Sequence, residues 1–240
     1  MGRVKIAKKS TFIDMTAMSD VTVLLLTFFM LTSTFLQKEP TTVITPASVS
    51  EEKVQETNFV QVLVSPQGKV WLTMNNDTSA AYGNDAMRQA LLQRAGEIYN
   101  ETHKDKVSFT KQQKEAFAKL GTFGVPMAQM GEFLDLASKQ EGQTLMDNWL
   151  SGEDENPAHK TGIPISWNQD DTRPTEFQIW MKAMRQTENS TLADKIKDGT
   201  GVAIKADQNT AFEIIHMVMD NLQSIKMNKF TLLTALKVQE

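Results

Sequence analysis

The 240-residue sequence has no cysteine, three histidines and no excess of basic residues. Without cysteine there can be no disulfide, no thiolate nucleophile and no thiolate zinc site. A folded part in an oxidising compartment must therefore stand on its own core, which roughly 180 residues can supply. The net charge of −4 offers no basic face of the kind nucleic-acid binding needs. His103, His159 and His216 show no metal-ligand spacing, and Ser10, Ser65 and Ser166 have no neighbour that suggests an activated nucleophile.

What the sequence does have is one long apolar run, Ala17 to Leu36 (AMSDVTVLLLTFFMLTSTFL), whose single ionisable residue is Asp20. Twenty helical residues at about 1.5 Å each span about 30 Å, the thickness of a bilayer's hydrocarbon core. An ionised carboxylate there costs a few kcal/mol or more, so such an acid faces a protein interior or a water-filled path and marks an ion or proton route. Arg3, Lys5, Lys8 and Lys9 precede the run; with Asp14 and Asp20 they leave +2 on the first twenty residues and −6 on the rest. The basic flank predicts a cytoplasmic N-terminus and an exported C-terminal part.

Two other readings compete for this stretch. A cleaved signal peptide also has a basic leader and an apolar stretch, but Asp14 and Asp20, the length of the run and the lack of a close A-x-A site count against it. A buried core helix would not need four basic residues before it and a polar linker behind it. At about 100° per residue, Thr16, Thr27 and Thr34 fall within about 40° of the direction of Asp20. Their hydroxyls either form a path from the carboxylate toward the exported side or bond back to their own helix and help helices pack.

Residues 37–58 hold Pro40, Pro46 and several Ser and Thr but no aromatic residue, and read as a flexible linker. The alternative is a docking segment in which TTVIT adds to a sheet edge. From Phe59 the pattern alternates: Val60, Val62 and Val64 on one face, a turn at Pro66-Gln67-Gly68, then Val70 and Leu72 returning, a β-hairpin. Helices are expected over 85–95 and, behind Thr110, over 110–120; further ones over 130–137, from Pro174 to Gln186, and over 210–225 with Phe212, Ile215, Val218, Met219 and Leu222 inward. GVAIKA, 201–206, reads as a buried strand and 229–236 as the last strand, which makes a βαβ-type unit with the helix between them. Asp207 ends its strand, where it is expected to cap the next helix or turn rather than serve catalysis, and Asp220 either bears on partners or lies on a solvated helix face. The stretch 96–200 is richer in helix than in strand signals, with a surface-loop composition over 152–173.

Two stretches carry a family resemblance. Residues 13–31, IDMTAMSDVTVLLLTFFML, resemble the transmembrane signature of the ExbD/TolR family, and among its forms most the one found in Bacteroidetes. Residues 202–234 resemble the family's strand ending in Ala-Asp, its helix and its last strand. The resemblance implies an α+β protein: a cytoplasmic tail over 1–16, a single transmembrane helix over 17–36, a linker over 37–58 and a periplasmic mixed-sheet domain over 59–240 with a mainly helical insertion over 96–200. It implies that Asp20 takes up and releases protons inside an ExbB-like polytopic partner. A TonB-like protein would relay the work to outer-membrane transporters, with this chain a homodimer in the inner-membrane complex. Thr16, Thr27 and Thr34 are then the candidate proton path and Asp14 an accessory acid. No catalytic residue, cofactor or metal ion is expected; protons are the coupling ion. Ala17 stands where the family commonly has proline, and Asp14 where many members have asparagine. A TolR-like role in envelope integrity and a non-conducting, membrane-tethered envelope-binding protein remain as alternatives.

Overall fold

A computed structural model describes residues 15–32, 39–48, 57–74, 83–168, 173–187 and 191–236. The chain divides into two compact units, Met1–Gln37 and Lys38–Glu240. The first is described as a single helix, α1 (Met15–Thr32).

The second unit is built on a five-stranded mixed sheet, as expected of an α+β chain. The predicted hairpin forms its centre. Strand β2 (Val60–Val64) pairs antiparallel with β3 (Val70–Met74), Val60 opposite Met74 and Val64 opposite Val70. The turn between them needs Gly68, whose φ is +78°, a region open to glycine without steric cost. On the other side of β2 runs β5 (Val202–Ala206), parallel, Val60 opposite Val202. Helix α8 (Phe212–Ser224) returns the chain so that β6 (Thr231–Leu233) lies parallel to β5. This is the expected βαβ unit. Strand β4 (Thr122–Phe123) closes the far side against β3, which gives the order β4-β3-β2-β5-β6.

The expected single last strand is divided. After Leu233 the chain leaves the β5 ladder, and β7 (Ala235–Leu236) pairs parallel with β1 (Ala47–Ser48), so one run of β-prone residues serves two sheets. The strand alternation also needs correcting. Val62 and Val64 are buried, but so are Leu63, Trp71 and Leu72. Successive strand residues point to opposite faces, so both faces are covered.

The insertion supplies much of that cover. Ahead of it α2 (Gly83–Thr102) runs about two turns beyond the expected 95; the insertion then continues with α3 (Lys111–Ala118), α4 (Met127–Asp135) with a 3₁₀ turn (Leu136–Ser138), α5 (Gly142–Ser151), α6 (Glu176–Gln186) and α7 (Thr191–Asp198). Both α3 and α6 begin with a complete capping box, Thr110 with Gln113 and Thr175 with Gln178, which satisfies two otherwise orphaned N–H groups at each start. Phe117, Phe123 and Trp180 stack together with ring centroids 4.6–5.7 Å apart, joining α3, β4 and α6. Trp71 donates its indole N–H to the Leu150 carbonyl of α5 at 3.1 Å. Gly124 is required where it stands: a Cβ would lie 2.2 Å from Trp71 Cδ1.

Helix α8 meets the sheet through Val218 and Leu222, both fully buried, but Phe212 is 72% exposed, against the inward position its spacing suggests. Phe212 opens the first turn, where it stacks on His216 one turn later at 5.9 Å.

Candidate functional site

The candidate residues of the first unit lie on α1. Its 18 residues amount to about 27 Å of helix. Among the described residues no helix is long and apolar enough to cross a membrane; the rest of the predicted span, 33–36, lies outside them, as do Thr34 and Asp14. Asp20 is the single ionisable residue of α1 and is exposed, with Thr16 one turn before it. Leu24, Thr27 and Leu31 follow on the same side and line a shallow groove with Val21, Leu25 and Phe28. Leu24, Phe29 and Leu31 are 61%, 65% and 87% exposed, an apolar surface that water would disfavour.

The hydroxyls of α1 bond to their own helix. Thr27 Oγ1 donates to the Leu24 carbonyl at 2.9 Å, Ser19 to Met15 at 2.8 Å, Thr22 to Met18 at 2.7 Å and Thr32 to Phe28 at 2.8 Å. Back-bonding of this kind keeps a hydroxyl satisfied where no water reaches. Each such oxygen keeps lone pairs that can accept a further hydrogen bond.

In the second unit the histidines are held apart. His103 stacks on Tyr99 at 4.2 Å, His159 on Trp149 at 3.5 Å, and His216 sits between Trp167 and Phe212. Among the described residues no three His, Asp or Glu side chains are arranged to hold a metal ion. Ser65 is fully buried, and its Oγ accepts the Lys69 N–H in the hairpin turn at 3.2 Å, a structural task. Ser166 contributes its carbonyl to Asn221, and Ser10 lies outside the described residues.

Asp207 does cap its turn, and more. Its carboxylate accepts the Asn209 and Ile44 N–H groups, each at 2.8 Å, and these two bonds hold it below the usual carboxylate range. Gln208 N–H returns to the Ile44 carbonyl at 2.8 Å, and Lys205 Nζ reaches Glu39 Oε1 at 2.6 Å. Residues 39–48, within the stretch read as linker, thus lie along the end of β5 with Val43 buried. The β-prone TTVIT was the visible trace of this; Glu39 and its partner Lys205 carried no signal that could pair them across the sequence.

Three more charged groups are partly or fully withdrawn from water. Arg88 of α2 donates to the carbonyls of Met74 at 3.0 Å, Ala118 at 3.3 Å and Leu120, and its burial weakens its hold on the proton while Asp85 strengthens it. Burial pushes the Glu176 carboxyl up, against a hydrogen bond from Met127 and the charge of Lys160. Asp154 is held low, chiefly by its hydrogen bond to His159. Among the described residues none of these three gathers a cleft or a nucleophile, and Asp20 stands apart from them as the lone ionisable residue of α1.

Compared with known proteins, residues 7–121 match the family model of the biopolymer transport protein ExbD/TolR. The match takes in α1, the 39–48 segment, the hairpin, α2 and α3; the βαβ unit lies beyond it. No curated protein and no solved structure matches the chain.

Proposed function

We propose, for a chain that belongs to the ExbD/TolR family, that it couples protons to work in a biopolymer-transport machine. Such proteins are transport accessories rather than enzymes, and they act with polytopic membrane partners and with TonB- or TolA-like proteins. In this chain residues 17–36 are the single inner-membrane span, 1–16 the cytoplasmic tail and 59–240 the periplasmic domain. An ExbB-like partner encloses the span, and a TonB-like protein carries the work to outer-membrane transport.

The observation that carries the proposal is Asp20, the lone ionisable residue of a helix whose other side chains are apolar or carry hydroxyls, four of which bond to their own backbone. Removal from water disfavours the charged form of a carboxyl. A carboxyl that is dry in one position of its helix and wet in another therefore takes up and releases a proton as the helix moves. A transmembrane potential contributes about 2.3 kcal/mol per charge per 100 mV, enough to bias the cycle. The partner's helices must cover the groove of Leu24, Thr27 and Leu31, since a lone span has no other place for the acid. Thr16, Thr27 and Thr34 continue the Asp20 side as a hydroxyl path, with Asp14 as the accessory acid at its cytoplasmic end.

The test is Asp20→Asn in cells carrying the polytopic partner. The variant should co-purify with that partner and abolish energy-dependent uptake through the outer membrane; full uptake would sink the mechanism. Loss of envelope integrity with uptake intact would assign the TolR-like role instead. Thr27→Val should slow uptake, and an unchanged rate removes the hydroxyl path alone.

A further inference from the structure

His159, in the loop between α5 and α6, is held by groups with opposite demands. Its ring lies flat on the Trp149 indole, the planes 4° from parallel. Nδ1 faces Asp154 Oδ2. Nε2 faces two groups at once, the Asn156 amide nitrogen at 3.0 Å and Glu132 Oε1 at 3.4 Å. One protonation state cannot serve both. An amide nitrogen donates and needs a bare Nε2; a carboxylate accepts and needs Nε2–H. The direction of the Asn156 amide follows from its other end, because Oδ1 accepts the Ala158 N–H at 3.1 Å and leaves Nδ2 toward the ring. The neutral ring is then satisfied, donating from Nδ1 to Asp154 and accepting at Nε2 from Asn156. A proton on Nε2 sets donor against donor at Asn156 and gives Glu132 a partner.

We propose that His159 is a proton-operated clasp: neutral, it fastens to Asn156 and closes the loop on itself; protonated, it releases Asn156 and fastens the loop to Glu132 on α4. The groups that face the ring are Asp154 on its own loop, Glu132 on α4 and the Trp149 face presented by α5. Lys160, the next residue, adds a positive charge beside them that also acts on Glu176 of α6. With the His159 side chain only 12% exposed, these partners rather than water surround the ring.

The clasp is well placed to be felt. Gln129 of α4 holds the same loop at the Ala158 carbonyl (2.8 Å) and the Lys160 N–H (3.0 Å). The chain then runs into Gly162 and Ile163, whose N–H groups bond to the carbonyls of Gly124 at 2.7 Å and Val70 at 2.8 Å. A change of partner at His159 therefore acts on a loop stitched to β3. This is a property of the 38–240 unit and stands whether or not Asp20 carries protons.

The imidazoles of the full chain in detergent micelles, nitrogen-15 labelled, report the clasp directly between about pH 8 and pH 5. At the upper end His159 should be in the Nδ1–H tautomer, the form free histidine disfavours. Glu132→Gln should move the pH at which the His159 signals change downward, and Asn156→Ala should move it upward. Both replaced side chains are exposed, so the fold is retained, and His103 and His216 should not respond. An Nε2–H tautomer at high pH, or the same midpoint in all three proteins, overturns the clasp.

Discussion

Glu176, in the first turn of α6, accepts the backbone N–H of Met127, the first residue of α4, at 2.6 Å. The residue before Met127 is Pro126, which has no side-chain oxygen to cap the helix, so α4 takes its cap from another helix. The bond ties two helices of the insertion together through a carboxylate that is largely withdrawn from water.

Burial, the largest influence, raises the Glu176 carboxyl above its ordinary value. The folded state therefore holds this proton more tightly than the unfolded chain. The contribution to stability is full below the unfolded value, about 4.3, and is lost as pH rises through the raised folded value. Glu176→Gln keeps an acceptor for Met127 and removes the buried charge. Denaturant unfolding should find it at least as stable as the parent at neutral pH, with a flatter pH dependence above pH 4. Glu176→Ala should cost about 1–2 kcal/mol at acid pH, where the parent is strongest. A Gln variant weaker than the Ala variant would contradict this account.

Asp207 behaves in the opposite sense. Its depressed value means that its contribution is present above the unfolded carboxylate value, about 3.9, and lost as pH falls through the folded one. Acid should therefore release the 39–48 segment before it melts the sheet. The hydrogen-exchange protection factor at Ile44 should fall in Asp207→Ala at neutral pH and in the parent as pH drops below the ordinary carboxylate range, while β2 and β5 stay protected. Equal exchange at Ile44 in parent and variant would show that the segment is held without this carboxylate.

Arg88 closes the carbonyls at the end of α3 and of β3 with one guanidinium. Its planar fork reaches three acceptors that an ammonium could not span. Arg88→Met should lower stability by about 2–4 kcal/mol, because it leaves buried carbonyls without donors, and Arg88→Lys should fall between. The midpoint of denaturant unfolding measures both. No change in Arg88→Met would mean that water takes over the carbonyls.

Much of this architecture is written locally in the sequence. The hairpin follows from alternating valines and one turn, α6 from Phe177, Trp180, Met181 and Met184 behind Pro174, and the βαβ unit from GVAIKA and the amphipathic α8. The features that escaped are those decided by distant partners. Helices α5 and α7 are short and depend on what they cover. Leu63 and Trp71 are buried because the insertion lies over them, and Phe212 stays exposed in the first turn of α8, beside His216. Asp20 stands out as a lone charge in an apolar run, but the groups proposed to enclose it are those of a partner, on which this sequence carries no signal. The groups around His159 are spread over 132–160, with nothing in their spacing to join them.

The sheet order has a consequence for how the domain is made. Val60 and Val202 are neighbours in the central ladder, yet about 140 residues separate them, and the insertion fills most of that loop. Closing a long loop costs only slightly more free energy than closing a short one, about 0.6 kcal/mol per doubling, so an insertion of this size is thermodynamically cheap. Kinetically it is not. The β2 edge waits unpaired until β5 has been synthesised, and such non-local pairing is slow. The insertion helices, rich in local contacts, can form during that delay and cover the hairpin, shielding an edge that would otherwise invite aggregation.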